Sequence, residues 1–469
     1  MKPLFVALFF NWLPLFLIAQ EITVSEEVPI NNTGSYEIIG TIGGVTLVFT
    51  AQNYTYKIKG LDQNLQLSFE KKLELDRRKA DILTVGKVNK HVVVVYTYQR
   101  KSNTYVKAHK YDKAANLVDS MLIKNYGYVL PVPKFGAVDS EDRSKLLLFY
   151  IEQRETLRAL AFDMANFGTL WEESTLMVEK GKSLEDWPEL HVANNSDMLV
   201  LYRRNNFRSK RKPHHIEMNH YIAQQKELRS YFIDMEGKLS VDIDFRIDNK
   251  NNTLIGSGLY GDLSKVRAKG FLYMNVPLDY QDNHRLVFHE FSPALLSNLL
   301  DKKVKNNKGY AEIAIAETVL RRDGGVLTVL EYDSRSFAVQ SDRNAIPNDE
   351  RVFGRLYAIS IHPDGKVHWD VLLQKKQKGG LDRSYLGSFF LYRSPSALRI
   401  LYNDDLKFYS QVNEYVVNGI GDFKRNSILN TRDLDIRLSF REALQVSSRT
   451  FLVPSVSPNR LKLVRFEYE

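Results

Sequence analysis

The side chains of this chain that could do chemistry are mostly cations. Arg203-Arg-Asn-Asn-Phe-Arg-Ser-Lys-Arg-Lys212 holds six basic residues in ten and no acid, and His214 and His215 follow. Guanidinium and ammonium groups crowded in this way attract phosphate and carboxylate groups. Arg203, Arg204, Arg208, Lys210, Arg211, Lys212, His214 and His215 are therefore the candidate binding residues. They fall between an apolar run ending near Tyr202 and another over residues 216–221. That spacing predicts one long inter-strand loop at a rim of the fold, where partners bind. A solvated loop without a partner is the plainer reading of such a charge run.

Other chemistry is harder to find. His214, His215, Glu217 and His220 are the one histidine cluster. A helical zinc site needs two histidines four apart with a glutamate between them. These spacings, beside Pro213, do not supply that, so no metal is expected. No Gly-x-Ser-x-Gly nucleophile elbow occurs; Gly256-Ser257-Gly258 reads as a strand with a bulge. Phosphate-loop and calcium-loop patterns are missing, and no cofactor is implied. Cysteine is absent, which excludes disulfides, thiolate ligands and thiol nucleophiles. Carboxylate pairs remain, such as Asp404 with Asp405. Asp242 and Asp244, two apart, share one face of a strand. Pairs about 5–10 Å apart in space hydrolyse glycosidic bonds, though more often such residues are an exposed strand face.

These residues need a frame, and the frame is a repeat. Residues 43–50, 89–97, 143–151, 195–202, 251–260, 323–332, 394–402 and 447–453 each open on a turn and enter an apolar run. Gly43-Gly44, Asn89-Lys90, Asn195-Ser196 and Asp323-Gly324 are typical of the turns. The runs that follow are too apolar to face water on either side. The units recur about every 50–55 residues, stretched to about 70 by insertions between residues 260 and 390, as propeller blades do. Hairpins follow the runs at residues 55–67, 106–118 and 157–170. The clearest is at residues 355–373, turning on Pro363-Asp364-Gly365.

The chain is thus expected to be all-β, one β-propeller over residues 21–469. Eight blades are expected, or seven and an irregular unit. The final unit is short, so residues 21–28 are expected to complete it by pairing with the strand at residues 461–469. Two β-sandwiches in series are the competing architecture. One helical insertion is expected near 291–310. Ser292 would cap it and Pro293 would open it, with the lysine-rich residues 301–308 as a loop.

Residues 1–20 carry Lys2, an apolar run from Leu4 and a small residue, Ala19, in the order of a cleavable secretory leader. No later stretch is apolar for long enough to cross a bilayer as a helix. The chain resembles a group of exported propeller-like proteins of Bacteroidota. The resemblance rests on Leu61-Asp-Gln-Asn-Leu-Gln-Leu67, Phe232-Ile-Asp-Met-Glu-Gly-Lys238, Gly256-Ser-Gly-Leu-Tyr-Gly261 and Gly270-Phe-Leu-Tyr273. It continues through Val319-Leu-Arg-Arg-Asp-Gly-Gly-Val326, Ile361-His-Pro-Asp-Gly-Lys-Val-His-Trp369 and Leu401-Tyr-Asn-Asp-Asp405. It implies a propeller in the periplasm or at the outer membrane, and it carries over no catalytic residue.

The formal charge of +9 suits an anionic partner. For an exported protein that means an acidic envelope protein, an anionic glycan or lipopolysaccharide, and not nucleic acid. The expected role is a non-enzymatic scaffold of the cell envelope. A glycan-acting propeller enzyme and an extracytoplasmic sensor domain are the alternatives.

Overall fold

A strand that is apolar at every position must be covered on both faces. The second segment of each repeat contains such a stretch. Val45–Gln52, His91–Arg100, Lys145–Glu152, Met198–Arg204, Thr253–Gly261, Val326–Ser336, Leu398–Asn403 and Thr450–Ser457 each carry an unbroken run of buried side chains. The computed structural model describes residues 20–30, 34–153, 155–177, 188–207, 212–262, 264, 266–279, 284–336 and 350–468.

Among the described residues the chain forms eight antiparallel sheets, each with a path of four strands from inner to outer, and two of them carry a short fifth strand. Blades 1 to 7 span residues 35–72, 80–128, 136–177, 189–234, 239–290, 313–373 and 390–430. Blade 8 takes Leu444–Gln445, Thr450–Ser457 and Arg460–Tyr468 from the end of the chain. Its outermost strand, Gln20–Val24, comes from the beginning. Gln20 lies opposite Tyr468 and Val24 opposite Val464, and Val28–Pro29 pairs further along the same strand. The fold is therefore an eight-bladed propeller closed by its two ends, as the truncated last unit predicts.

Eight apolar clusters fill the seams between neighbouring blades. The seam between blades 8 and 1 is the smallest, built from Val28, Val48, Leu61, Leu65, Leu461 and Leu463. The turns that open the second strands need positive φ, and Gly44 (83°), Asn89 (56°), Ser196 (75°), Asn252 (51°) and Gly324 (86°) provide it.

The insertion between blades 5 and 6 is a short helix, Pro293–Leu299. Ser292 caps it by accepting from the Leu295 amide at 3.1 Å, and Leu296 and Leu299 are buried in the seam below. At Gly256-Ser257-Gly258 the expected bulge is not in this strand but in its partner, between Ser240 and Asp242. The inner strands of blades 1, 2 and 6 break register in the same way.

Antiparallel four-stranded blades sort their connections by face. Turns from first to second strand and from third to fourth all lie at one end of the ring, the turn face. Loops from second to third strand, and the segments that lead to the next blade, lie at the other. That connection face holds the long segments, including residues 291–312, 374–389 and 431–443. No helix among the described residues is long and apolar enough to cross a membrane.

Candidate functional site

The two faces differ in charge, and the cause is local. Tight turns select residues that bond their own backbone. On the turn face the Asp62 carboxylate accepts from the amides of Asn64 and Gln66 at 2.8 and 2.9 Å. Asp112 accepts from Ala114 and Asn116, and Asp364 from Lys366, in the same way. Further along this face, Asn249 bonds Glu141 at 2.8 Å and Asn194 receives the Asp142 amide at 3.2 Å, knitting the turns of blades 3, 4 and 5. The connection face carries basic clusters: Arg77-Arg-Lys79, Lys302-Lys-Val-Lys305 and Lys375-Lys-Gln-Lys378.

The structure divides the expected binding loop. Arg203 and Arg204 are the last residues of Met198–Arg204, paired with Ile216 and His215, so the hairpin extends further than the apolar pattern implies. Arg203 donates to the Ile243 carbonyl at 2.8 Å and to Glu189 at 3.3 Å. Arg204 pairs with Glu217 at 2.7 Å and lies over the Tyr202 ring at 4.0 Å. His214 is buried between the Arg204 carbonyl (2.7 Å) and the Ser240 hydroxyl (2.9 Å), and burial brings its pKa down to about 4. His215 packs against Phe232. His220 faces Asp197 at 3.3 Å, so the histidine cluster of the sequence is dispersed among three sets of neighbours. Lys212 is exposed, and Arg208, Lys210 and Arg211 lie outside the described residues.

The inner strands wall a central channel with alternating charge. Glu189 receives His191 at 3.0 Å and Arg203 at 3.3 Å. Burial raises the Glu189 pKa, but these partners outweigh it and hold the carboxyl below its usual range. Asp242 faces Arg203 at 3.7 Å and Asp244 pairs with Arg246 at 3.0 Å, so each member of this acid pair already has an arginine.

Against the inner strands lies a cavity of about 660 Å³, lined among others by Lys87, Asp142, Arg143, Glu317, Arg393 and Arg441. Glu317 is pushed above the ordinary carboxylate pKa by burial, against the pull of Arg246 and Arg393. Burial also raises Glu37 and Asp139, which share Arg143. Among the described residues no group of three or more His, Asp or Glu is placed to hold a metal ion.

A second cavity, of about 690 Å³, opens beside the insertion helix between blades 6 and 7. Its basic lining comes from Arg355, Lys375, Lys376, Lys378 and Arg425. Sequence reading passed over these residues because they are scattered among three segments. The local signal was the alternation at 375–378: Lys375 and Gln377 are buried, while Lys376 and Lys378 are exposed.

No protein-family model matches the chain, and no curated protein matches it. Several solved structures are similar to the chain at low identity. The Saccharomyces cerevisiae core factor is 9% identical over 96% of this chain, with a TM-score of 0.40; the chain spans 61% of its length. An oligogalacturonate lyase in complex with manganese is 11% identical, covering 96% of this chain and 98% of that one, with a TM-score of 0.41. The β-propeller domain of the trilobed protease from Pyrococcus furiosus is 8% identical, covering 83% and 95%, with a TM-score of 0.37.

Proposed function

We propose that this propeller is a non-enzymatic scaffold of the bacterial cell envelope that docks an anionic envelope component on its connection face. One observation carries the reading: basic clusters occupy the long connections, whereas the acids of the opposite face cap turns. A surface of one sign raises the local concentration of oppositely charged partners and steers them to one orientation. The leader-like residues 2–19 support a place outside the cytoplasm.

The test is retention of the purified mature protein on immobilised lipopolysaccharide. Replacement of Lys302, Lys303, Lys305 and Lys308 by Glu is expected to lower retention about tenfold at low salt, since each lysine contributes to one shared field. Equal retention of variant and parent would sink the reading.

A second reading, a glycan-acting enzyme, draws on Glu317, a carboxylate held toward its protonated form at the wall of a cavity. It requires that Glu317→Gln abolish a glycan-cleaving activity that the parent displays on envelope polysaccharide.

A further inference from the structure

We infer that the cavity between blades 6 and 7 is a subsite for the carboxylates of an acidic glycan, a uronate-bearing chain. The inference rests on the scaffold reading above and names the ligand class of that face.

The cavity is built, in that its walls are pinned from behind. Lys375 turns inward and gives its ammonium to Glu331 at 2.7 Å and to the Gln377 side-chain carbonyl at 2.8 Å. Ser388 donates to the other Glu331 oxygen at 2.7 Å, and Gln377 donates to the Asn403 carbonyl at 2.6 Å. Residues 377–380 also pair with the third strand of blade 6. This buried network fixes the backbone from which Lys376 and Lys378 project outward, 70% and 55% exposed. Arg355 is anchored independently, by the Gln374 side chain at 2.6 Å and the Asn298 carbonyl. Arg425 is held by the Tyr402 hydroxyl at 3.0 Å.

The chemistry of the ligand is visible in what these cations now hold. Asp301 lies between Arg355 (2.9 Å) and Lys376 (3.2 Å), and Asp404 receives Arg425 at 2.9 Å. Besides Lys378, which pairs with Glu350 at 2.9 Å, the cavity thus already gathers two carboxylates of the chain itself, Asp301 and Asp404. Both are more than half exposed, at 57% and 52%, and exposed ion pairs of this kind are weak and readily exchanged. A ligand bearing carboxylates at intervals takes over the same cations without rebuilding the site, because Arg355 and Arg425 keep their Gln374, Asn298 and Tyr402 anchors and the backbone of Lys376 is fixed by the network behind it.

A glycan fits better than an acidic peptide. Its apolar wall, Leu299, Leu300, Val352 and the Tyr332 ring, lies beside the cations, as a sugar with an apolar C–H face and a carboxylate requires. The Gln374 amide nitrogen, its oxygen held by Arg355, donates to a sugar hydroxyl.

The experiment is titration calorimetry of the mature protein with a short oligomannuronate. A neutral mannose oligomer of equal length and a glutamate oligomer serve as controls. Binding of the uronate alone is expected. Lys376→Glu with Lys378→Glu should weaken it about tenfold, whereas Asp301→Asn should strengthen it severalfold by removing the internal competitor. A structural role alone does not produce gain in one variant and loss in the other. Uronate binding indifferent to all three substitutions overturns the inference, as does tighter binding of the glutamate oligomer. If lipopolysaccharide retention still responds to reversal of Lys302–Lys308, the scaffold reading survives that failure. If the parent binds no polyanion at all, both fall.

Discussion

The Lys375–Glu331 pair shows what one buried charge demands. Its side chains are 0% and 3% exposed, and burial drives the lysine pKa down while Glu331 opposes the shift. An ion in such a place is tolerated because every polar atom has a partner. Removing one ion strands the other, so Lys375→Met is expected to cost about 3–5 kcal/mol. Lys375→Met with Glu331→Leu should restore most of that, because replacing both charges by apolar groups is often neutral. Urea unfolding of the two variants checks this, and equal losses would contradict it. Two histidines set a pH dependence at the same scale. His109, held by the Tyr96 and Tyr111 hydroxyls, and His214 are both brought down to about 4, by burial first of all. Between pH 4 and the ordinary histidine value of about 6.5 the unfolded chain binds more protons than the folded one. Stability from these groups is therefore complete above pH 6.5 and is lost as pH falls toward 4. His109→Gln with His214→Asn should flatten the unfolding midpoint across that window.

At the scale of elements, the repeat was legible because propeller geometry writes itself into composition. The second strand of a blade is covered on both faces, so runs such as His91-Val-Val-Val-Val-Tyr96 stand out against the alternating strands around them. The closing strand was legible from the incomplete last unit. Deleting residues 21–30 removes Ile22, Val24 and Val28 from their seams. At about 1.5–3 kcal/mol per buried aliphatic side chain, a loss on the order of 5 kcal/mol is expected, visible as a lower denaturation midpoint. The bulges were not legible, since a register break depends on the neighbouring strand and leaves no fixed residue behind. Gly258 is a trace of one: a Cβ there would lie 2.4 Å from the Asp242 carbonyl, beside the break at Ser240 and Asp242. Gly258→Val should accordingly cost about 1–3 kcal/mol, the range of overpacked cores. The end of the hairpin at Arg203 and Arg204 was missed for a related reason. A charged residue reads as loop, yet here Ile243, Glu189, Glu217 and Tyr202 satisfy both guanidinium groups within the sheet.

For the whole molecule the governing property is the unequal charge of the two ends of the ring. It has a structural origin on one side only. Aspartates on the turn face are bonded to amides and cannot be exchanged without loosening turns, whereas lysines such as Lys302, Lys303 and Lys305 lie on exposed connection backbone. Attraction between exposed charges is screened over about 8–10 Å at physiological salt. Binding through the connection face should therefore weaken steeply as ionic strength rises from low salt to well above the physiological level. Binding through an apolar surface should not. The two faces can be compared directly. Reversing Lys302, Lys303, Lys305 and Lys308 to Glu should lower both the affinity for lipopolysaccharide and the slope of its logarithm against that of salt. Changing the same number of cations on the turn face, Lys90, Lys113, Lys250 and Lys366, to Glu should leave the slope nearly unaltered. Equal effects from the two sets would mean that the net charge of +9, and not its placement by the fold, governs association.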